Sequence, residues 1–245
     1  MANIINSLSI IFPLYNEIVR INQSLLSIKS FIKDSKFTYL QIIFVDDGSN
    51  DGTYLVLKKF ISQFKSKKNI KFLLLKNSRN FGKGYSLKKG VNKANGKWIL
   101  TSDIDLSVDL KHFRKWNLNL FIKKNFFIFF GSRNHPKAKI KKTFIRFFLG
   151  IFYRNIIYFL FKVNFYDTQC GYKLYKSNYA KKLFKKLNDR GYAHDIEIIL
   201  LANSYKILIK EMPVIWYHKK HSKLNIFFDT FVMFRDLVKI RLKYL

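Results

Sequence analysis

Three apolar runs in the first half of the chain each break off at polar residues. LSIIFPLY ends at Tyr15-Asn16-Glu17, YLQIIFV at Asp46-Asp47-Gly48-Ser49, and KWILTS at Asp103-Ile104-Asp105. Short apolar runs closed by turn residues predict buried strands over 8–15, from 39, over 70–76 (IKFLLLK) and over 97–102. Between them, Ile18, Ile21, Leu25, Ile28 and Ile32 recur at helical spacing over 17–33. Further helices are expected over about 53–64 and after the glycine-punctuated NSRNFGKGYSLKKG. Strands alternating with helices imply right-handed βαβ crossovers, an α/β fold and a mostly parallel central sheet. Such sheets bind ligands at the carboxyl ends of their strands, where all three polar clusters fall.

The second half is less regular. FFIFFGSR (126–133) predicts a strand, 140–162 a basic aromatic helix, and DTQCGYKLYK (167–176) a loop entering a short strand. HDIEIILLANS (194–204) reads as a helix, 207–216 as a strand and 224–245 as a final helix. No repeat or linker divides the chain.

Asp103 and Asp105, one residue apart at a strand end, offer hard oxygen ligands suited to Mg²⁺ or Mn²⁺, with substrate phosphates completing the shell. The spacing alone does not specify a metal, because exposed turns also favour Asp. Asp46 and Asp47 end an apolar strand, where like charges repel and burial is costly. Accepting hydrogen bonds from base or ribose donors would explain them; a glycine-rich turn capped by Asp51 or Ser49 is the other reading. In RNFGKG, Arg79 and Lys83 are placed to face phosphate, or simply to start a basic helix.

Charge widens the picture. Lys and Arg number 46 against 15 Asp and Glu, a formal net charge of +31. Such a chain seeks polyanions: nucleic acid, an anionic membrane face or phosphorylated substrates. Part of the lysine excess also fits an AT-rich genome. No helix-turn-helix, zinc-finger or RNA-binding sheet signature is present, so nucleic acid is not the expected partner. A hydrophobic share of 49% excludes a disordered chain. Cys170 is the single cysteine, which excludes an internal disulfide and fits a reducing compartment; a small packing residue is favoured over a nucleophile. The first residues lack the features of a signal peptide. The longest apolar stretch, 144–165, is interrupted by Arg146, Arg154 and Lys162, making it a poor membrane span but a good interfacial helix. Between Lys137 and Lys162 lie seven basic residues, both ends included, and no acid. The last helix repeats this mixture, although in both helices the aromatic face could instead pack into the core.

FPLYNE, VDDGSNDGT, RNFGKGYSLKKG and TSDIDLS, in this order and spacing, resemble the family 2 glycosyltransferases with a GT-A fold. GSR, DTQCGYKLY, GYAHDIEI, MPVIWYHKKHSK and FRDLVKIRLKYL bring the likeness to the polyprenyl- and dolichyl-phosphate sugar synthases, above all the dolichyl-phosphate β-glucosyltransferases. The resemblance implies a Rossmann-like nucleotide-sugar-binding domain over 1–223, which includes the basic helix of about 140–162, and a C-terminal amphipathic helix over 224–245 on a membrane surface.

It implies that Pro13, Tyr15, Glu17 and Asp47 line the nucleobase and ribose pocket, that Asp103 and Asp105 hold the metal and diphosphate, and that Lys83 lies near the nucleotide. Asp46 joins the nucleotide-binding set on its own strand-end position. Arg133 and Arg146 fall where relatives place bases near the acceptor phosphate, and Asp195 and Glu197 match an acidic block facing the sugar. Ser107 stands where mannosyl enzymes usually carry Gln, which resembles the glucosyl subgroup. The Gln-x-x-Arg-Trp motif of processive synthases is absent, and the sequence begins at the first strand, whereas eukaryotic relatives usually carry an N-terminal anchor before it.

The implied activity is inverting transfer of a hexose, expected to be glucose from UDP-glucose, to polyprenyl or dolichyl phosphate on the cytoplasmic membrane face, with an integral-membrane partner or oligomer also compatible. A phosphate acceptor needs no strong base. An alcohol acceptor would, and Asp195 would be the base, so Asp103, Asp105 and Asp195 form the expected catalytic set. The rival readings are a transferase acting on a glycan, glycolipid or protein hydroxyl, and a non-catalytic anionic-lipid or nucleic-acid binder. His194 is expected to make a polar contact rather than bind metal, His218 and His221 to contact phosphate or nothing, and Asp167 to order its loop.

Overall fold

A computed structural model describes residues 5–64, 69–140, 144–217 and 226–244. Nine strands and eight α-helices are present among these residues. Those that position the site are β1 (Ser7–Leu14), α1 (Ile21–Lys33), β2 (Tyr39–Asp46), α2 (Thr53–Ser62), β3 (Ile70–Lys76), α3 (Lys83–Lys93), β4 (Trp98–Thr101), α4 (Leu118–Ile122), β5 (Ile128–Ser132), β6 (Lys139–Ile140), α5 (Phe144–Phe161), β7 (Lys173–Lys176), α6 (Ser177–Lys186), α7 (His194–Ser204), β8 (Ile209–Pro213), β9 (Ile215–Trp216) and α8 (Ile226–Tyr244). Seven strands form one sheet in the order β3-β2-β1-β4-β7-β5-β8; β6 and β9 pair separately. All neighbours in the main sheet are parallel except β7, which runs antiparallel to β4 and β5.

The apolar runs of β1, β2 and β4 are strands buried on both faces, as in parallel sheets, while β3 at the sheet edge is only half-buried. Successive side chains alternate between two cores: Ile10 and Phe12 of β1 pack with α1 residues such as Leu25 and Ile28, while Ile11 packs with Leu87 and Val91 of α3 and Ile199 of α7. Removing a Leu, Ile or Phe side chain of this kind from water contributes about 2 kcal/mol.

The pairing register brings the strand ends to one edge. Leu14 sits opposite Asp46, and Ile11 opposite Thr101. Asp47 N–H then bonds Leu14 O at 2.7 Å and Ser102 N–H bonds Ile11 O at 3.1 Å. Tyr15–Glu17, Asp46–Asp47 and Asp103–Asp105 therefore share an edge, as the alternation implied.

Several boundaries differ from the expectation. The first helix starts at Ile21, because Asn16 takes a left-handed φ of 54° and the Glu17 carbonyl accepts from Arg20 and Ile21 in a turn. The single strand expected over 207–216 is split at Val214 between the two sheets. Helices α4 and α6 were not anticipated. α5 and α8 each seat one side in the core, through Ile157 and Phe161 and through Leu237 and Ile240. Their other side stays in solvent: Phe159 is 76% exposed and Leu242 81%. No described helix is long and apolar enough to cross a membrane.

Candidate active site

At the end of β4 the backbone leaves the sheet and carries Asp103 and Asp105 into the edge cleft. Lys83, the first residue of α3, meets Asp103 there: Nζ lies 2.6 Å from Oδ1. Gly171 sits against the Asp103 carboxylate so closely that a Cβ would collide with it. Burial alone would lower Lys83, but Asp103 and then Asp195 outweigh it and hold the ammonium charged. Burial likewise tends to raise Asp103, and Lys83 reverses the effect. Asp105, with Oδ1 accepting the Ser107 N–H at 2.9 Å, is pushed up by burial and then by the charge of Asp103.

Two adjacent carboxylates, one of them unfavourably charged by the other, form a donor set that a divalent cation fits. No group of three or more His, Cys, Asp or Glu able to hold a metal occurs among the described residues. A cation held there would take Asp103 and Asp105 from the protein and its other ligands from phosphate oxygens and water.

Lys83 reaches this point because Asp47 fastens the preceding loop. Its Oδ1 accepts from Asn77 Nδ2 (2.7 Å) and Phe81 N (3.0 Å), and its Oδ2 from Gly82 N (2.8 Å). Both Asp47 oxygens thus accept from the loop that they fasten, Oδ2 from a single backbone N–H. Asp46 is fully buried; Oδ1 accepts from Ser49 N at 3.2 Å, while Oδ2 has no hydrogen-bond partner. Asp51, the alternative turn residue, does serve the turn, accepting from Thr53 N and Ile18 N at 3.0 Å each.

Glu17 is buried and takes two N–H groups of Arg20. The same guanidinium lies 4.0 Å from Asp105 Oδ2, joining the first and third strand-end clusters. Pro13 is half-buried in β1 and Tyr15 is exposed at the strand end.

Arg133 lines a small cavity of about 30 Å³ with Asp103, Asp105, Ser107, Cys170 and Trp216. Asp167 holds it bidentately, Nε–Oδ2 at 2.7 Å and Nη2–Oδ1 at 2.9 Å, which bears out an ordering role for Asp167. Burial first, then Asp167, pushes the Cys170 thiol up to about 11, so it is a packed thiol and not a nucleophile. The Arg146 side chain, His218 and His221 lie outside the described residues.

Asp195 stands in the first turn of α7, 5% exposed. Its Oδ1 is 2.6 Å from Lys173 Nζ and 3.0 Å from His194 Nε2. Burial pushes its carboxyl up, but His194 and Lys173 overcome this and hold it well below the usual carboxylate range. Glu197 corrects the expectation of a shared acidic block. Two residues further along the helix, it points away from Asp195 and accepts from Asn188, Asp189, Lys243 and Tyr244.

Sequence reasoning missed Lys173 and Arg20. Lys173, only 2% exposed, lies in the KLYK strand, and its signal was a charge on a strand between apolar neighbours. Forty-six basic residues masked it.

The family model described as glycosyl transferase family 2 matches residues 9–184. The dolichyl-phosphate beta-glucosyltransferase of Dictyostelium discoideum is 35% identical over 97% of this chain and 75% of its own length. That of Saccharomyces cerevisiae is 33% identical over the same shares. Among solved structures, glucosyl-3-phosphoglycerate synthase from Mycobacterium tuberculosis with Mn²⁺, UDP and phosphoglyceric acid superposes with a TM-score of 0.64 at 14% identity, over 95% of this chain and 76% of that one. S. aureus TarS 1–349 with UDP-GlcNAc gives 0.55 at 16% identity, over 89% of this chain and 60% of that fragment. At these identities the structures establish a shared GT-A fold.

Proposed function

This chain belongs to glycosyl transferase family 2, in the group of the dolichyl-phosphate β-glucosyltransferases, and from that premise we propose that it moves glucose from UDP-glucose to a polyprenyl or dolichyl phosphate at the cytoplasmic face of a membrane. It is a hexosyltransferase; donor, acceptor and location are the reading offered. One observation supports the acceptor reading. Lys173 and His194 on Oδ1 hold the Asp195 carboxyl well below the usual range, which makes it a weak base. An alcohol acceptor needs a base, whereas a phosphate oxygen is anionic near neutral pH and attacks without one.

The donor's diphosphate would lie against Asp103, Asp105 and Lys83. A Mg²⁺ or Mn²⁺ ion held by the two carboxylates would supply charge neutralisation to the departing nucleoside diphosphate. Lys83, kept charged by Asp103, adds a fixed positive charge at the start of α3, where the helix dipole also favours an anion. Arg133, oriented by Asp167, keeps N–H groups for the acceptor phosphate beside the same carboxylates. Pro13, Tyr15 and Glu17 form the nucleoside wall, and Asp195 would accept from sugar hydroxyls or fix the cations around them. Attack opposite the leaving diphosphate inverts the anomeric centre in one displacement.

Membrane contact is supported by Tyr158 and Phe159 of α5, exposed beside Lys162, and by Phe234 and Leu242 of α8 beside Arg235 and Lys239. Apolar tips among cations suit an anionic lipid face.

Radiolabelled UDP-glucose, GDP-mannose and UDP-GlcNAc, each incubated with polyprenyl phosphate and Mn²⁺, test the reading. Label entering the organic phase from UDP-glucose is expected. Equal or greater transfer from another donor overturns the sugar assignment, and none from any donor overturns the acceptor.

A further inference from the structure

Glu197 was expected to face the sugar, yet its carboxylate is 1% exposed and collects five donors from two places. Oε2 accepts from the backbone of Asn188 (3.0 Å) and Asp189 (2.5 Å). Oε1 accepts from Asn188 Nδ2 (3.2 Å), from Lys243 Nζ (3.1 Å) and from Tyr244 Oη (2.6 Å), the last two near the end of α8. One side chain therefore ties α8 to the 188–191 loop.

That loop in turn completes the first turn of α3. The α3 amino terminus has no side-chain cap. Its free N–H groups go to loop carbonyls instead, Gly84 N to Gly191 O and Tyr85 N to Arg190 O, at 3.2 Å each. Gly191 O also accepts from His194 Nδ1 at 2.8 Å, and His194 abuts Asp195. The contact is tight: a Cβ at Gly84 would stand 2.6 Å from Asp189 O and 2.8 Å from His194 Cβ, and one at Gly82 would strike Arg190 O. On its other side the loop borders a cavity of about 590 Å³ lined by Asp189, Arg190, Tyr192, Arg235 and Asp236. On that side Asp236 of α8 approaches Gly191, and the bonds to Glu197 tie the loop to α8.

We infer that Glu197 is a positioning residue: with Lys243 and Tyr244 it fixes the 188–191 loop, and through that loop it sets where Lys83 meets the donor diphosphate. The carboxylate touches neither Lys83 nor Asp103. It acts through a rigid strut with little slack, so changes in α8 reach the phosphate end of the site and bypass the base pocket.

The full chain with Glu197→Gln and, separately, with Tyr244→Phe tests this. Gln loses one acceptor oxygen, and Phe removes one bond while keeping the ring packing. Titration with UDP plus Mn²⁺ is expected to show weakening on the order of tenfold for Glu197→Gln, the size usual for loss of an outer-shell partner. Uridine, which lacks phosphates, should bind as it does to the parent. In a Lys83→Met background, Glu197→Gln should cost nothing further. Equal weakening of uridine and UDP, or full additivity with Lys83→Met, overturns the inference.

The ligand arm rests on the donor reading above, and a parent chain that does not bind UDP would sink that reading. Amide exchange does not depend on it. The Gly84 and Tyr85 amides should exchange on the order of tenfold faster in Glu197→Gln and detectably faster in Tyr244→Phe. Unchanged exchange in both folded variants overturns the inference whatever ligand binds.

Discussion

Lys173 Nζ stands 2.6 Å from Asp195 Oδ1, with both side chains almost wholly buried and His194 Nε2 on the same oxygen at 3.0 Å. Removing one partner of such a pair leaves an uncompensated buried charge, at a cost of about 3–5 kcal/mol. Lys173→Met and Asp195→Asn should each lower Tm strongly at neutral pH. Because the Asp195 carboxyl is held below its ordinary value, its stabilisation is present above about pH 4 and fades as pH falls further. The Tm gap between the parent and Asp195→Asn should therefore narrow below pH 4. A gap constant down to pH 2 would contradict the pairing.

Asp189 carries the opposite sign. Burial pushes its carboxyl up to about 6; His194 opposes this, and Asp236 and Glu197 add to it. A raised carboxyl stabilises most when protonated, below about pH 4, and that contribution is lost as pH rises through about 6. Asp189→Asn should gain Tm relative to the parent at pH 8 and little at pH 4.5. Thermal scans at the two pH values decide it.

Gly171→Ala should act at a distance from the fold's stability. The added methyl collides with the Asp103 carboxylate. Turnover should fall on the order of 10²-fold, the scale of losing one group that stabilises transition-state charge, and Lys83→Met and Asp105→Asn should do likewise. Initial rates against Mn²⁺ concentration provide the check. The Asp105→Asn rate should also lose its metal dependence.

Phe159→Glu and Leu242→Glu replace exposed apolar tips with acids. Co-sedimentation with vesicles containing phosphatidylserine should drop for both while Tm stays within about 2 °C, since exposed substitutions rarely shift stability beyond about 0.5 kcal/mol. Binding by the parent should weaken with salt, as each nearby Lys or Arg contributes about 1 kcal/mol to attraction by an anionic leaflet.

The sheet and the strand-end cleft were legible because buried parallel strands write themselves as continuous apolar runs stopped by polar residues. Asp103 and Asp105 came from that logic; Lys83, read from the glycine loop, lies 2.6 Å from Asp103. What stayed hidden depended on side-chain direction. Asp46 and Asp47 are adjacent, so one carboxylate is sealed while the other fastens a loop. Asp195 and Glu197 share a helical turn but not a face, so one joins the site and the other joins α8. α6 was missed because KLYKSNYAKKLFKK runs from strand to helix with no intervening loop: β7 ends at Lys176 and α6 begins at Ser177.

The comparison that bears most directly on the account pairs polyprenyl phosphate with polyprenol of the same chain length, each with UDP-glucose and Mn²⁺. Glucosyl lipid is expected from the phosphate alone, because Lys173 and His194 hold the Asp195 carboxyl well below the usual range and leave it a weak base for an alcohol. Glucosylation of polyprenol at a comparable rate, abolished by Asp195→Asn, would contradict it.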